Sequence, residues 1–594
     1  MIAVRRALLS ALSCAVLSAA VTSAGAAQDS TRVRPDTGTA RQDTSSLPPL
    51  PRVIPTPAPE VPAGPLVPGS RYVFTRDSLA WATAITLSDL LGSIPGVYVA
   101  RGGFLGQSEY VVYGGRGAAA LEIFWDGMPL APMGGDSVYA DAARVYVATL
   151  SRVDVEVLPA LLRVYLVSER HASLDDRSLV QVGSGDYGAA QYNGLFQKRW
   201  VSGVGLGLMA NFVGSKGFSG SNRQDHAFEL DARLDWMPTD RAGVVYQLRR
   251  QKQERSPIAI ASSGVTVPGR DGTRTDAMLR FFASTLPAGR GFGGELLFGS
   301  SGWGQDTSIG DQGVHHVGLT GRYAGPRAAA EVTARLGDVR VTRSLAGRAS
   351  IFLPPGLVVS GDAAAEALSG GRSSRRAHGA IALYRGPFSV AGELSWGDAP
   401  QAPAVRQDTS VRTVDRAIRV GFETAFLAGH AGFVRRDAYR PLPFPNLPSV
   451  GSLRATDPTD NFVADARLRL LPPLMIDGWY SNPVKGAAAF QPPTHGRAQI
   501  TFRSKFWKKF RSGAFDLKLQ VAMESWSRGT AGVSGPQILL NGASFYETFI
   551  SFQIVGFIAY WDLRNAYNSF ETYVPNVPYP RNVQTFGVRW EFAN

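Results

Sequence analysis

The sequence predicts a mainly β fold: a transmembrane antiparallel β-barrel of about 22 strands, with a small N-terminal α+β domain in its lumen. Apolar and charged residues alternate over most of residues 171–594. The segments run near ten residues, the length that crosses a membrane at a tilt. Tryptophans at or near segment ends fit an interfacial girdle. They are Trp200, Trp236, Trp303, Trp396, Trp507, Trp526, Trp561 and Trp590.

The first element along the chain is an apolar stretch. Two arginines precede a short apolar core at residues 7–21, and residues 24–26 supply the small side chains of a cleavage site. We assign residues 1–26 to a secretory signal peptide on this pattern. Cys14, the only cysteine, lies inside it. We therefore expect an exported chain without disulfides or thiol chemistry.

Composition narrows the class of protein and its partners. Mean hydropathy is close to neutral, at −0.04, which excludes a multi-span helical membrane protein. The formal net charge is +13, but Lys and Arg are scattered rather than clustered. We expect no nucleic-acid partner for an exported protein with that pattern. Anionic lipid headgroups and an anionic ligand both remain open, because charge alone does not choose between them.

Residues 27–69 predict a segment without a core. Residues 28–47 are polar, and residues 48–68 are dense in proline. Such a stretch forms an extended, semi-rigid spacer, which would reach roughly 65 Å in polyproline II form. A passive linker and a tether that reaches across the periplasm both fit this composition.

Residues 70–170 predict a compact α+β domain. The stretch TLSDLLGSIPGVYV indicates a helical turn, a Pro-Gly turn and a strand, and YVVYGGRG indicates a strand that ends on glycines. LEIFWDGMPL indicates a strand that enters an Asp-Gly turn, where Gly127 is expected at positive φ. RVDVEVL has the alternation of a further strand.

These four stretches, in this order and spacing, resemble the plug domain of TonB-dependent outer-membrane receptors. In that family a helix runs into a Pro-Gly-Val turn, followed by an Arg-Gly motif, an Asp-Gly-x-Pro turn and a Val-Glu-Val strand. The residues that match these structural motifs are Pro95, Gly96, Val97, Arg116, Gly117, Asp126, Gly127, Pro129, Val155, Glu156 and Val157. The resemblance implies that residues 70–170, hereafter the plug, fill the barrel.

Two features differ from the family's pattern. The family usually has a Gly-rich segment after the Val-Glu-Val strand, whereas this chain has PALLRVYLVSERHA. The family also has a short hydrophobic coupling box near the mature N-terminus, for which RVIPTP and RYVFTRD are the candidates here. Both differences leave energised transport open more than they affect the fold.

The sequence of residues 171–594 predicts a long succession of β-strands. In AFELDARLDWMP, apolar residues such as Leu230 fall on one face and charged residues such as Arg233 on the other. This period of two is typical of half-buried antiparallel strands. A soluble sandwich would turn the apolar face inward, and a membrane barrel would turn it toward lipid. We favour the barrel, because the segments have membrane-spanning length, tryptophans lie near their ends, and the connections alternate roughly between tight and longer. A barrel of about 22 strands encloses a lumen that a plug must fill.

The last strand predicts how the barrel closes. Its apolar face carries Phe586, Val588, Trp590 and Phe592, opposite a face with Arg589 and Glu591. The preceding stretch, from WDLRNAYN to YPRNVQ, resembles the closing hairpin of the family. The resemblance implies that this strand pairs with the first barrel strand, and that the barrel assembly machinery reads it as a signal.

The remaining motifs do not indicate a nucleotide-binding, metal-binding or catalytic site. Gly203, Gly205 and Gly207 alternate within a strand and do not form a nucleotide-binding loop. His315 and His316 are neighbours on a strand and should point to opposite faces, which disfavours a metal site. The sequence has no G-x-S-x-G elbow, Walker loop or H-E-x-x-H motif. We therefore predict no enzyme, no catalytic or metal-ligating residue and no cofactor, although a barrel hydrolase with Ser and His on adjacent strands stays open.

The resemblance implies a function at the outer membrane of a Gram-negative type of cell. Such proteins bind a scarce extracellular ligand, a metal chelate, a vitamin or a glycan, and import it when a TonB-type coupling protein pulls on the plug. The alternative is a plugged barrel that acts as a receptor, an adhesin or an assembly component without energised transport. Candidate ligand contacts are the plug loops at residues 101–107 and 128–136. The external loops look short, and the sequence does not name the ligand.

Overall fold

The computed structural model describes most of the plug and the barrel. It describes residues 53, 67–134, 139–216, 225–260, 265–267, 269–306, 310–402, 406–442, 444, 457–486, 490–506, 509–510, 514–530 and 539–593. The predicted signal peptide and all of the predicted tether except Val53 and residues 67–69 lie outside the described residues. Within these ranges, no helix is both long and apolar enough to cross a bilayer.

The plug consists of seven strands and two short helices. The strands are β1 Arg71–Phe74, β2 Tyr98–Arg101, β3 Glu109–Val112, β4 Leu121–Trp125, β5 Met128–Pro129, β6 Leu150–Val157 and β7 Leu162–Ser168. The helices are α1 Arg76–Ala80 and α2 Leu87–Leu91. Short 3-10 turns lie at Gly117–Ala120, Ala142–Arg144 and Val147–Thr149.

Local sequence explains where the second helix begins and ends. A carboxylate oxygen of Asp89 accepts hydrogen bonds from the backbone N–H groups of Ile85 (3.0 Å) and Thr86 (3.3 Å). These bonds satisfy backbone donors at the start of α2. The helix ends before the turn at Gly96, whose φ is 76°. The sequence therefore predicted this helix and its turn correctly.

A five-stranded sheet forms the centre of the plug, in the order β1-β6-β7-β4-β5. The β4–β7 pair is parallel and the other pairs are antiparallel. Every residue of β7 is buried, and so are the last five of β6. Both faces of these strands are therefore covered, which is why RVDVEVL does not alternate between buried and exposed positions.

The barrel contains 22 antiparallel strands and is closed. They are β8 Arg177–Gly185, β9 Ala190–Arg199, β10 Val204–Ser215, β11 Asp225–Trp236, β12 Ala242–Arg255, β15 Arg270–Ser284, β16 Gly291–Gly304, β17 Gln312–Ala324, β18 Ala328–Gly337, β19 Val341–Leu353, β20 Leu357–Leu368, β21 Ser373–Arg385, β22 Phe388–Ala402, β23 Arg406–Glu423, β24 Leu427–Arg436, β25 Thr459–Leu471, β26 Leu474–Lys485, β27 His495–Ser504, β28 Phe515–Trp526, β31 Ala543–Ile554, β32 Phe557–Arg564 and β33 Val583–Ala593. Two small hairpins lie in the connections. They are β13 Ile258–Ile260 with β14 Val265–Val267, and β29 Gly529–Thr530 with β30 Leu539–Leu540.

The two ends of the barrel differ in the length of their connections. At one end, the turn end, most connections are tight, such as residues 386–387 and 472–473. At the other, the loop end, several connections are long, and the longest three are residues 437–458, 527–542 and 565–582. In outer-membrane barrels the short turns are periplasmic and the longer loops extracellular. The sequence predicted short external loops, and these three loops are longer than that.

Side chains face as the alternation predicts. On β11, Leu230 and Trp236 are 47% and 51% exposed, whereas Arg233 and Asp235 are only 4% exposed. The apolar residues point away from the lumen and the charged residues point into it. This inside-out arrangement fits a lipid-facing wall and confirms the predicted fold class of a plugged barrel.

The prediction of a tryptophan girdle is correct only in part. Trp236 and Trp590 are about half exposed on the outer face. Trp303 and Trp526, by contrast, are buried in the lumen, where they pack against the plug: Arg144 lies over the ring of Trp303, and Tyr98 meets Trp526 edge-on. Position near a strand end is shared by both groups, so it does not reveal which face a tryptophan occupies. Trp507 lies outside the described residues.

Candidate functional site

Buried ion pairs fasten the plug to the barrel wall. Arg116 of the plug donates to both carboxylate oxygens of Asp415 on β23, at 2.6 and 2.7 Å. Arg163 binds Asp362 on β20 at 2.7 Å. Arg348 of β19 binds Glu156 at 2.9 Å. These bonds lie around one side of the lumen, so the plug is held by specific charges as well as by packing.

The Pro-Gly-Val turn faces β25 to β27. Gln491, between β26 and β27, donates to the carbonyl of Gly96 at 3.1 Å. Pro95 lines a small gap beside Val463 of β25. Val97 is fully buried in the plug core. This turn therefore docks the plug on the wall, and its residues do not reach the large cavity described below.

The Arg-Gly motif lies beside the loop after β24. The guanidinium of Arg116 stacks over the ring of Tyr439, 4.8 Å from its centroid. Gly117 has φ 59°, and a Cβ there would lie 3.0 Å from Pro441. The glycine is thus required both by its backbone angle and by the close approach of the loop.

The Asp-Gly-x-Pro turn contacts the wall through its backbone. Asp126 is fully buried, and its carboxylate accepts the backbone N–H of Ser168 at 3.1 Å. Arg280 of β15 donates to the carbonyl of Asp126 at 2.9 Å. Gly127 has φ 88°, as its turn position predicts. Pro129 lies on β5 and lines the large cavity.

The Val-Glu-Val strand is β6, next to the edge strand of the plug sheet. Val155 and Val157 are buried in the core, and Glu156 points to the wall. The stretch RYVFTRD, one of the two coupling-box candidates, contains β1, which pairs with β6 along all four of its residues. The structure thus places the first four residues of this candidate in a strand of the plug. The other candidate, RVIPTP, lies outside the described residues apart from Val53.

The last strand closes the barrel. β33 pairs antiparallel with β8 from Thr585↔Gly185 to Ala593↔Arg177, and with β32 on its other side. Phe586 and Trp590 are 55% and 53% exposed, and Val588 and Phe592 share their outward face. The strand thus needs no other cap, because its neighbour is the first barrel strand.

Aromatic side chains close one half of the loop end. Tyr98 and Tyr110 of the plug are fully buried beneath side chains from the long loops. Phe444 stacks on Tyr110 at 5.1 Å between ring centroids, and the hydroxyl of Tyr98 donates to the carbonyl of Tyr573. A ligand that approaches from this side meets a packed surface.

The other half contains a cavity of about 480 Å³ between the plug and strands β17 to β23. It reaches the loop end, where Val339 and Arg340 of the β18–β19 connection line it. The plug contributes Pro129 to Pro132 and Tyr139, and the wall contributes the side chains of several lumen-facing residues. A volume of this size suits a small-molecule ligand.

The cavity combines apolar surface with charged groups. Arg376 of β21 pairs with Glu122 of the plug, and His378 lies 3.3 Å from Asp362. Nε of Arg335 and of Arg376, and Oγ of Ser395, are buried without a protein partner among the described residues. Such donors fit a polar ligand or water.

The plug side of the cavity keeps its charge state fixed. Burial opposes the charge of Arg163, but the carboxylate of Asp362 outweighs it and holds the pKa of Arg163 above its ordinary value. Burial raises the pKa of the Tyr139 hydroxyl well above its ordinary value. At neutral pH the first group is therefore a cation and the second a neutral donor.

The two plug loops singled out by the sequence have different surroundings. Residues 101–107 are tied down: Arg101 pairs with Asp89 and Glu109 at 3.0 and 2.7 Å, and Gln107 with Asp225 at 2.6 Å. The 128–136 loop lines the cavity through residues 129–132, and its last two residues lie outside the described range. The sequence did not single out Arg335, Arg340 or Arg376. Alternation gives the face of Arg335 and Arg376 but not their height on the wall, and Arg340 lies in the connection between β18 and β19.

The candidate metal pair does not form a site. His315 points outward and is exposed, whereas His316 points inward. Among the described residues, no three His, Cys, Asp or Glu side chains gather in a metal-binding arrangement.

Comparison with known proteins finds matches to the plug and to the overall fold. A family model described as the TonB-dependent Receptor Plug Domain matches residues 66–160. No curated protein sequence matches the chain. The ferric enterobactin receptor PfeA from Pseudomonas aeruginosa is similar in structure, with a TM-score of 0.67 at 11% identity over 89% of this chain and 100% of that one.

Two further structures are similar to the same extent. The siderophore receptor PirA from Acinetobacter baumannii has a TM-score of 0.66 at 10% identity, over 88% of this chain and 98% of that chain. The copper transporter OprC has a TM-score of 0.66 at 12% identity, over 88% and 100%. At such identities the likeness concerns the fold alone.

Proposed function

We propose, from the premise that this chain is a TonB-dependent receptor by its plug and its fold, that it binds a scarce extracellular ligand and imports it across the outer membrane. The plugged barrel implies an outer-membrane location and transport or reception rather than catalysis. The observation that carries the proposal is the 480 Å³ cavity, because plug and wall line it together. A ligand bound there touches both, so a movement of the plug would change its affinity.

The orientation follows from the connections. With the long loops outside, the cavity faces the medium, and the first plug strand lies at the periplasmic side. Arg419 of the wall donates to the carbonyls of Gly69 and Val157, both at 3.1 Å, beside the point where the tether enters the plug. β1 is the edge strand of the sheet. A pull on the tether would therefore act first on β1, a four-residue edge strand that is paired only with β6.

The ligand we propose is a metal chelate, ahead of a vitamin or a glycan. By their titles, the three similar structures named above are a ferric enterobactin receptor, a siderophore receptor and a copper transporter. The cavity offers guanidinium groups, such as those of Arg335 and Arg340, next to aromatic and apolar side chains. Guanidinium groups bind carboxylate and other anionic oxygens well, and such oxygens are common in chelators.

The test of import uses the tether. Cells that produce the full chain, or a chain without residues 28–68, are given a radiolabelled ferric catecholate, cobalamin or copper salt. Binding and accumulation are then measured side by side. We expect one probe to bind equally to the full chain and to the shortened chain, since the deleted segment has no core of its own. We expect accumulation of that probe to be lost in cells with the shortened chain. Unchanged accumulation would exclude TonB pulling through this segment and favour a plugged receptor or adhesin.

The site is tested with variants of the cavity. Arg340→Gln and Arg376→Gln should each weaken binding of the same probe by roughly tenfold, which is typical for the loss of one hydrogen bond to a charged group. Arg250→Gln is the matched control, because this arginine is exposed on the outer face of β12. Equal affinity of all three variants would place the ligand elsewhere.

A further inference from the structure

Five arginines project from the outer face of the barrel near its loop end. They lie on strands β19 to β24, and all five are exposed. They are Arg343, Arg375, Arg412, Arg416 and Arg435. We call this surface the arginine face. Each lies on the same side of its strand as exposed apolar residues, for example Ile418 beside Arg416 and Phe433 beside Arg435.

Strand register brings these arginines close together. Arg416 lies directly opposite Arg435 across the β23–β24 pair. Like charges at directly opposite positions of adjacent strands repel each other and are destabilising. Arg375 and Arg412 both lie opposite Asp398 of β22, one on each side. Two of the arginines therefore share one aspartate, and two others face each other.

The acidic residues of this surface do not neutralise it. Arg435 reaches Asp460 only at 3.9 Å, and its side chain is 63% exposed. The other four arginines form no ion pair with any residue that the structure describes. Among the residues whose side chains the structure describes, Asp398 and Asp460 are the acidic residues directly opposite them at outward positions. Five arginines thus face two aspartates among these described side chains.

The loop end of β12 offers a comparison with the arginine face. On β12, Arg250 and Lys252 also point outward. There, however, Lys252 binds Glu254 at 2.5 Å, and His226 lies 3.3 Å from the same carboxylate. On β12, therefore, a carboxylate of the same strand pairs with one of the two outward cations.

The position of the face indicates its partner. Outward side chains of a barrel wall meet lipid, and at the loop end they meet the headgroups of the outer leaflet. Arginine side chains keep their stems on apolar surface and extend the guanidinium to the headgroup level. The guanidinium is matched to phosphate, which it binds with two parallel hydrogen bonds. We propose that the arginine face binds the phosphate groups of a phosphorylated lipid in the outer leaflet.

This binding would be separate from ligand import. The arginine face lies outside the wall, whereas the cavity lies inside it, and neighbouring residues divide between the two: Arg375 points outward and Arg376 points into the cavity. A lipid held there would fix the height and rotation of strands β19 to β24 in the membrane. The same strands form part of the wall of the cavity.

The test compares two lipids on the unaltered protein. The purified chain is placed in phosphatidylcholine nanodiscs that contain either diphosphorylated lipid A or lipid A from which both phosphates have been removed. Lipid retained by the protein is counted by native mass spectrometry. We expect retention of the first and not of the second, with no competition from inorganic phosphate at equal concentration. Equal retention of both lipids, or full displacement by inorganic phosphate, would overturn the proposal.

A variant locates the site. In the triple variant Arg412→Gln, Arg416→Gln and Arg435→Gln, retention of diphosphorylated lipid A should fall by about tenfold or more, as the loss of three surface arginines implies. The matched control is Arg250→Gln with Lys252→Gln, which should retain lipid A fully. Folding of each variant is checked by its heat-modifiable migration on a gel. If the folded triple variant retains lipid A as well as the unaltered protein, the arginine face is not the site.

Discussion

At the scale of residues, arginines on the two sides of the wall have different roles. Those that point inward hold the plug: Arg348 binds Glu156, and Arg436 donates to the carbonyl of Pro159 at 2.6 Å. Those that point outward, such as Arg435, lie at the lipid boundary. Because successive side chains of a strand face opposite ways, one residue of displacement decides which role an arginine has.

The first prediction concerns a buried charge. Glu156→Ala leaves Arg348 without its carboxylate, in a place where the two side chains are only 2% and 10% exposed. The free energy of unfolding of the plug should fall by about 3–5 kcal/mol, because an unpaired charge stays buried. Hydrogen exchange of the β6 amides measures the effect. Arg152→Ala, on the same strand and 44% exposed, is the control and should cost under about 1 kcal/mol, because its buried partner Asp154 keeps Arg71 at 3.0 Å. Equal effects would show that burial of this pair does not matter.

The second prediction concerns the lipid-facing side. Leu230 lies in the middle of β11 and is 47% exposed toward the membrane. Leu230→Arg should destabilise the barrel by about 2–4 kcal/mol if the residue is at mid-bilayer. Arg233→Gln should cost less, since its partner Asp235 keeps the bond to Arg199 at 2.5 Å. Unfolding in lipid vesicles gives both values, and the reverse order would contradict the facing of the strand.

The third prediction concerns a glycine on the closing seam. A Cβ at Gly183 of β8 would lie 2.6 Å from the hydroxyl oxygen of Tyr560. Gly183→Ala should therefore displace that ring and destabilise the barrel by about 1–3 kcal/mol. Gly194→Ala on β9 is the matched control, because nothing lies within 4 Å of a Cβ there. The temperature of the heat-modified gel shift compares them. A Gly183 variant as stable as the control would mean that Tyr560 moves aside freely.

At the scale of elements, the strands differ in the number of neighbours with which they pair. The four-residue strand β1 is held by one neighbour, whereas the barrel strands are paired on both sides. The hydrogen bonds of the barrel form one closed ladder from β8 to β33. The element most open to mechanical change is thus the edge of the plug, and the element on which closure depends is the final strand.

The fourth prediction concerns that final strand. Deletion of residues 592–594 removes the pairs Phe592↔Ser178 and Ala593↔Arg177 of the seam, together with the last outward aromatic residue. We expect lower levels of folded protein in isolated outer membranes, seen as loss of the heat-modifiable band. Phe388→Ala removes an outward phenylalanine, 62% exposed, from another strand and should assemble normally. Normal levels of folded protein in the deletion variant would show that residues 592–594 are not part of the assembly signal.

At the scale of the whole molecule, the barrel and the plug are joined by side chains and not by a shared sheet. The plug strands form their own sheets, and the 22 wall strands pair only among themselves. A closed ladder leaves no strand edge that the plug must cover. The wall can therefore stand without the plug, while the lumen of so large a barrel is empty without it.

The fifth prediction follows from this separation. A chain without residues 71–168 should still form a barrel with heat-modifiable migration, and in planar bilayers it should conduct far more current than the full chain. The full-length protein, reconstituted in the same way, is the control. A deleted chain that fails to form a barrel would show that the plug is needed for closure, and a folded one with unchanged conductance would show that the loops block the lumen themselves.

The sequence by itself determined the class of fold and the facing of most strands. Period-two alternation fixes the two faces of a strand, so Leu230 and Arg233 could be assigned without a structure. The plug motifs were visible for a related reason: turns at Gly96 and Gly127 need backbone angles that favour glycine. The pairing of the last strand with the first was expected from its apolar face and its likeness to a closing hairpin.

Only the tertiary structure decided which residues meet. Alternation gives the face of a residue but not its height on the wall or its neighbour across the lumen, because both depend on register and on the tilt of every strand. Trp303 and Trp526 thus proved to be luminal. Asp415 and Asp362 became partners of plug arginines, and Arg416 came to lie opposite Arg435. Contacts between residues hundreds of positions apart have no local signature, which is why the cavity and the arginine face emerge only in the folded chain.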